Sequence, residues 1–283
     1  MESSAHKTSK TEMTGKGSSE LLKRLLNEVR SLENVAIGFS GGVDSSVVVA
    51  AATRELGTAQ VLAVTADSET LPATELDEAR EIAESLGVEH TVIRTREIDN
   101  ESFSANPVDR CYHCKTELWE KVRVLADERG LKNIADGVNL DDIGDFRPGI
   151  EAGDEVGIRH PLKDIGAGKQ EVRILARELG LPNWDKPAQA CLSSRFPYGC
   201  RITVEGLKRV ELAEEFLRSL GFRQLRVRDH EGVARIELPP GELEKISDSA
   251  LREVITEKLK ELGYRYVTLD LEGYRSGSLN EVL

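Results

Sequence analysis

Seven consecutive residues, Ser40-Gly41-Gly42-Val43-Asp44-Ser45-Ser46, have the make-up of an anion cradle. Two glycines let backbone N–H groups close on a phosphate, and the serines add hydroxyl donors. Val35-Ala-Ile-Gly-Phe39 before them reads as a buried strand and Ser45 to Arg54 after them as a helix. The loop therefore feeds a helix amino terminus, whose dipole favours negative charge. The Walker pattern is not met, because its lysine is absent and the glycine spacing differs, so γ-phosphate transfer is not the natural chemistry. A glycine-rich turn that binds nothing is the alternative.

Three further groups of residues could do chemistry. Cysteines stand at 111, 114, 191 and 200, and Cys111-Tyr-His-Cys114 is a C-x-x-C. Two thiolates at that spacing grip a soft metal or cluster; a four-cysteine zinc site and incidental thiols are the competing readings. Asp136-Gly137-Val138-Asn139-Leu140-Asp141-Asp142, with Asp145 nearby, is either an acidic cleft wall or an Asx-rich turn. Arg226 and Arg228 alternate on a strand and so share a face, which suits a grip on phosphate or carboxylate or else a cross-strand ion pair.

The elements that must position these groups follow from periodicity. Leu21 to Leu32 reads as an amphipathic helix, Gln60 to Ala66 as a strand, Ala73 to Leu86 as a helix and Glu89 to Arg94 as a strand. Thr116 to Arg129 is a helix, Asn133 to Asp136 a short strand and Lys169 to Leu179 a helix. Strands alternating with helices imply an α/β fold with a parallel sheet covered on both faces. In such a sheet a nucleobase lies at the strand carboxyl ends, here around Thr65, Ala66 and Asp67.

The order changes near Pro197. Glu205 to Leu220 is helical, Gln224 to Arg228 and Val233 to Leu238 are strands, Gly241 to Leu262 is helical and Arg265 to Leu271 a last strand. That order suits a small α+β domain with an antiparallel sheet. The expected division is a disordered polar arm at 1–19, a nucleotide domain at 20–196 and the small domain at 197–283.

Composition agrees with a folded enzyme: 39% hydrophobic and 31% charged residues leave no disordered majority. The longest apolar run, Val43 to Thr53, is broken by Asp44 and two serines, so no membrane span is expected. Met1 to Glu20 has no apolar signal region, which points to the cytoplasm, where disulfides are a poor explanation of the cysteines. A net charge of −12 disfavours nucleic-acid partners.

S-G-G-x-D-S after a buried first strand resembles the pyrophosphate signature of the PP-loop ATP pyrophosphatases. Phe146-Arg147-Pro148-Gly149, Cys191-Leu-Ser-Ser-Arg-Phe-Pro-Tyr-Gly199, Tyr266-Val-Thr-Leu-Asp-Leu271 and Arg275-Ser276-Gly277 narrow the resemblance to the LarE family of ATP-dependent sulfur transferases, from about residue 20 to the end. The resemblance implies that Ser40, Gly41, Gly42, Asp44 and Ser45 hold the β and γ phosphates of ATP, with Asp44 near Mg²⁺, and that the acidic segment lines the catalytic cleft. It further implies adenylation of a carboxylate of pyridinium-3,5-dicarboxylate mononucleotide, then displacement of AMP by sulfur in building the nickel-pincer nucleotide cofactor. Ser194, Arg195, Arg226 and Arg228 match its substrate site, and Glu214 and Glu237 match positions that hold a divalent metal in parts of the family. Relatives imply a homo-oligomer.

Two sulfur sources fit that family: a sacrificial cysteine, or an external donor's sulfide on a four-iron four-sulfur cluster held by three cysteines. The C-x-x-C favours a cluster on Cys111, Cys114 and Cys191, with Cys191 nearest the chemistry in both cases. Other PP-loop activities, namely tRNA thiolation or amidation of the NAD or GMP synthase type, and a non-catalytic nucleotide or redox sensor are the alternatives. The negative charge and the lack of an evident glutaminase segment weigh against the first two.

Overall fold

The computed structural model describes residues 15–143, 147–187, 189–275 and 277–282. Asp145, Phe146 and Ser276, singled out above, lie outside the described residues, as do residues 1–14 of the expected arm. The remainder of that arm, from Gly15, belongs to helix α1 (Gly15–Arg30).

The first sheet contains β1 (Val35–Gly38), β2 (Val61–Asp67), β3 (Glu89–Arg94) and β4 (Asn133–Ala135) in the order β3-β2-β1-β4, all parallel. Parallel neighbours need helical crossovers. These are α2 (Val43–Leu56), α3 (Ala73–Ser85) and, after a short α4 (Glu101–Ser104), α5 (Arg110–Glu128). Alternate strand residues serve opposite faces: Val35, Ile37 and Ala63 pack with α1, α2 and α3, while Ala36, Leu62 and Val64 pack under α5. Trp119 of α5 fits because Gly38 has no side chain; a β-carbon there would come within 2.7 Å of the indole.

After β4 come α6 (Pro148–Glu155), α7 (Pro161–Asp164) and α8 (Lys169–Glu178). The last joins the α1 and α2 face through Val172, Leu175 and Ala176. Helix α5 begins six residues before the periodic stretch that starts at Thr116, which puts the C-x-x-C on its first two turns. The polar run Arg110 to Lys115 carries no apolar period that could have revealed this.

Helix α9 (Val204–Ser219) leads to β5 (Arg226–His230), β6 (Val233–Glu237), α10 (Pro240–Leu243), α11 (Ser249–Glu261) and β7 (Tyr266–Leu269). The second sheet is mixed and not purely antiparallel, since β5 and β6 are antiparallel but β7 runs parallel to β6. The cause is the α10–α11 segment, which acts as a crossover. The helix expected over 241–262 is interrupted at Asp248, whose carboxylate accepts from the N–H groups of Ala250 and Leu251 and starts α11 afresh.

Phe103, Leu192, Phe196, Ile202, Leu207 and Val210 form a separate small core that joins the sheets' two neighbourhoods. Among the described residues no helix is long and apolar enough to cross a membrane.

Candidate functional site

Strands β2 and β3 lie on one side of β1 and β4 on the other, so a crevice opens between the carboxyl ends of β1 and β4. The loops that follow these two strands fill it. A β-carbon on Gly137 would stand 2.6 Å from Ser45 N, so the acidic segment is pressed against the cradle. Gly41 has φ +71°, and a β-carbon there would meet Ala79 of α3 at 3.0 Å, so the position is glycine for two reasons. No side chain caps α2 at Gly42, which leaves its first-turn N–H groups for an anion. Ser40 Oγ and Ser45 Oγ stand 3.3 Å apart, and Asn183 donates to Gly41 O and Ser46 Oγ at 3.0 Å.

Thr65 stands near the carboxyl end of β2. It is buried, donates to Phe39 O at 2.6 Å and meets His90 Nε2 at 2.8 Å, so it fixes the strand end that launches the cradle. Ala66 and Asp67 stand half-buried at the end of β2, and Asp67 lines a cleft with Ser68, Leu71, Leu76 and Arg94.

Burial pushes the Asp44 carboxyl up to about 6, and Asp142 adds to the shift while Lys169, Asn139 and Arg173 pull against it. Two carboxylates that disfavour each other's charge are relieved by a hard divalent cation. Among the described residues no three His, Cys, Asp or Glu side chains converge on a single metal position, so phosphate oxygens and water would complete the shell of such an ion.

The other acidic residues of the segment are occupied structurally. Asp136 holds His160 Nδ1 at 2.7 Å, and Asp154 meets Nε2 at 3.0 Å. Burial disfavours the His160 charge, but these two carboxylates outweigh it and hold the imidazole above its usual pKa. Asn139 and Asp142 cap the turn between them reciprocally, and Asp141 Oδ2 accepts from Lys169 N at 2.7 Å, capping α8. Asp142 Oδ1 faces Arg147 Nη2 at 3.1 Å. Lys169, Arg173 and Asn183, drawn to the cradle by chain connections far from it, were not singled out in the sequence.

Cys111 and Cys114 share a face of α5 at i, i+3 spacing, and exposed Cys191 opens the turn Leu192–Arg195. Burial raises the Cys111 thiol, Cys191 raises it further, and Arg110, Lys115 and Arg147 oppose them. Burial also raises Cys114 strongly, followed by Glu97, with smaller contributions from Cys191 and Cys111. The three thiols therefore stand within one another's electrostatic reach, with cations beside them. Cys200 answers to burial, Glu231 and Asp229 instead, and among the described residues no four cysteines gather as a zinc site would require.

Glu214 and Glu237, expected as metal ligands, are taken up by arginines. Arg195 grips Glu214 with Nε and Nη2 at 2.7 and 2.9 Å, and Arg218 and Val227 N complete that carboxylate. Arg228 grips Glu237 through two 3.0 Å bonds, and Arg235 adds a third. Glu214 thus accepts four donors and Glu237 three, so in this structure both carboxylates are engaged by arginines. Arg195 also donates to Cys191 O at 3.2 Å and Ser194 Oγ at 2.9 Å, while Arg228 donates to Ser194 O at 2.7 Å. Arg226 differs from both: only 9% exposed, it has no carboxylate partner among the described residues and faces the Tyr274 ring at 4.8 Å. It lines a small pocket with Arg218, Arg223, Gln189, Gln224 and Tyr274. Burial, with the charges of Arg195 and Arg228 against the pull of Tyr274, presses its guanidinium below the usual value.

A parallel sheet carrying S-G-G-x-D-S at its switch point defines a PP-loop, ATP-using protein. The profile of the asparagine synthase family matches residues 19–114. Over 260 residues, 92% of this chain and 93% of the relative, the chain is 39% identical to the pyridinium-3,5-bisthiocarboxylic acid mononucleotide synthase of Lactiplantibacillus plantarum, and it belongs to that protein's family, the LarE family. It is also 48% identical over 263 residues to an uncharacterized protein of Synechocystis sp., covering 93% of this chain and 97% of that one. An argininosuccinate synthase of Haloarcula marismortui is 31% identical over 158 residues, 52% of this chain and 37% of its own length.

Proposed function

We propose that this chain uses ATP to adenylate a carboxylate of pyridinium-3,5-dicarboxylate mononucleotide and then replaces AMP with sulfur, a step towards a nickel-pincer cofactor. A carboxylate oxygen attacks the α-phosphorus and pyrophosphate leaves. Sulfur then attacks the activated carbonyl, and AMP leaves with the carboxylate oxygen. Activation is needed because carboxylate oxygen is a poor leaving group.

The observation that carries this reading is the position of Arg147. Its guanidinium bonds Asp142 beside the cradle, and two residues on a β-carbon at Gly149 would stand 3.4 Å from Cys111 O, so residues 147–149 run from the phosphate region to the thiols. Arg195 makes the next link, from the Cys191 carbonyl to the arginine-rich face.

In this reading Ser40, Gly41, Gly42 and Ser45 hold the β and γ phosphates, Asp44 with Asp142 holds their Mg²⁺, and Ala66 and Asp67 border the adenine. Arg226, which has no carboxylate partner among the described residues, takes the anionic end of the mononucleotide, with Ser194, Arg195 and Arg228 shaping the site around it. Cys111, Cys114 and Cys191 would hold an iron–sulfur cluster, which when bound supplies an iron-held sulfide replenished by an external donor. Arg110, Lys115 and Arg147 offset the charge of those thiolates. The chain works in the cytoplasm as a homo-oligomer without a nucleic-acid partner, a setting supported by its net charge of −12 and by its family.

The test is pyrophosphate release from MgATP with and without the mononucleotide. Release that requires the mononucleotide, with AMP and a thiocarboxylate formed in equal amounts, is the expected result. Release indifferent to the mononucleotide, or stimulated by ammonia in its place, would overturn the assignment.

A further inference from the structure

The acidic segment that presses on the cradle is itself held from behind, by the chain on either side of residue 160. Arg159 N donates to Ile134 O at 2.9 Å, Asp136 N to Arg159 O at 3.1 Å, Lys163 N to Val138 O at 3.2 Å and Leu140 N to Ala167 O at 2.9 Å. Residues 134–140 are thus laced along residues 159–167. Gly137, whose β-carbon would meet Ser45 N, stands in the middle of the laced stretch.

One side chain ties this lacing to a third element. His160 is 3% exposed and stands directly before α7. Its Nδ1 lies 2.7 Å from Asp136 Oδ1, the same oxygen that accepts from Val138 N at 3.0 Å, and its Nε2 lies 3.0 Å from Asp154 Oδ1 on α6. An ionised carboxylate can only accept, so both ring nitrogens must donate. An imidazole donates from both only as the imidazolium. The geometry makes the ring a cation between two anions.

The charges around the ring come from three elements. Asp136 follows β4, Asp154 belongs to α6, and Lys163 of α7 also faces Asp154, at 3.7 Å. On α1, Glu28 is taken up by Arg159 at 2.7 Å, and α1 and α2 share with Leu162 of α7 an apolar core. Burial opposes the ring's charge and Lys163 adds to that, but the two carboxylates outweigh them, so its pKa lies above the ordinary histidine value. What the imidazolium contributes is therefore fully present below the ordinary value and is lost as pH rises through the folded one.

We infer that His160 is a positioning residue for ATP: as the imidazolium it pins Asp136, and with it Gly137, against the first turn of α2, and loss of its proton loosens the cradle. The inference rests on the reading of the crevice as an ATP site. The neutral ring keeps at most one of its two bonds and no charge, so Asp136 is held by a weaker contact. Asp154, on the exposed side, is left to Lys163.

The experiment is calorimetric titration of the full-length chain with MgATP from pH 6.5 to pH 9, on wild type, His160→Asn and Asp154→Asn, with a thermal melt at each pH. Wild-type affinity should fall about fivefold across that range, the scale that separates a charge-assisted from a neutral hydrogen bond. Asparagine can still donate to Asp136 but cannot titrate, so His160→Asn should bind like high-pH wild type throughout and show no fall. Asp154→Asn removes one anion at Nε2, so its fall should come at lower pH than in wild type while its affinity at the highest pH matches wild type. If His160→Asn does not fold, the shift in Asp154→Asn decides alone. A wild type whose affinity does not fall, a fall that persists in folded His160→Asn, or one that keeps its place in Asp154→Asn would overturn the inference and leave the ATP site standing. A wild type that binds no MgATP at any pH would overturn both.

Discussion

Gly137 and Ser45 meet backbone to backbone: a β-carbon on the first would stand 2.6 Å from the amide nitrogen of the second. Nothing flexible lies between them, so Gly137→Ala must displace either the acidic segment or the first turn of α2. We expect it to destabilise the chain by about 1–3 kcal/mol, the cost of overpacking a tight contact, and to weaken MgATP binding more than tenfold. Urea unfolding and ATP titration measure the two effects, and an unaltered ATP affinity would show that the segment does not shape the cradle.

Asp44 gives a pH signature in two directions. Its folded pKa of about 6 lies above the ordinary 3.8, so the stability linked to its proton is fully present below the ordinary value and is lost as pH rises through 6. Asp44→Asn without ligand should therefore melt higher than wild type at pH 7.5, by about 2–4 °C, with the gap closing near pH 4. Mg²⁺ needs the carboxylate ionised, so wild-type MgATP affinity should rise as pH passes 6, and Asp44→Asn should lack that rise and bind weakly throughout. A flat affinity from pH 5 to pH 8 in wild type would remove Asp44 from the cation site.

Arg226 and Arg228 share a strand face but should fail differently. Arg228→Ala leaves Glu237 buried without its fork and should cost about 3–5 kcal/mol. Arg226→Ala breaks no ion pair among the described residues, so its melting point should stay close to that of wild type while mononucleotide affinity falls and ATP affinity holds. If Arg226→Ala unfolded as readily as Arg228→Ala, its role would be structural.

The thiols separate into three and one. Cys111→Ser and Cys114→Ser should lose iron and the broad iron–sulfur absorption of anaerobically prepared protein, whereas Cys200→Ser should retain both. Turnover with added sulfide should pass one per chain. Cys191 lighter by hydrogen sulfide after a single turnover, in protein without iron, would assign the sulfur to the chain itself.

The nucleotide half was legible in the sequence because its signals are local. A β1 of apolar residues, two glycines and an α2 whose residues 45–52 are all buried follow one another within about twenty positions, and each fixes its neighbour's conformation. The family could be read because its motifs recur in order along both halves. What stayed hidden depends on distant partners. The direction of β7 is set by the path of α10 and α11, not by its own residues. Glu214 and Glu237 read as free carboxylates until the fold brings Arg195 and Arg228 onto them. The polar first turns of α5 lacked an apolar period, and within the helix read from Lys169 to Leu179 nothing marked Lys169 or Arg173 before α8 packed beside α2.

The loop that carries Cys191 is tied down entirely through other atoms. Leu192 N donates to Thr70 O at 2.9 Å, Arg195 holds the carbonyls of Ala190 and Cys191, and Asn106 donates to the carbonyls of Phe196, Pro197 and Cys200 just beyond. Among the described residues the sulfur itself meets the Ser193 hydroxyl alone, at 2.8 Å. Were Cys191 itself the sulfur source, the alternative outcome above, a copy stripped of that sulfur would therefore keep its shape, its cradle and its arginines. Such a spent copy would go on capturing ATP and mononucleotide without converting them, becoming a sink for both and an inhibitor of its intact siblings. Its removal would have to come from outside, because nothing in its own stability would mark it as used.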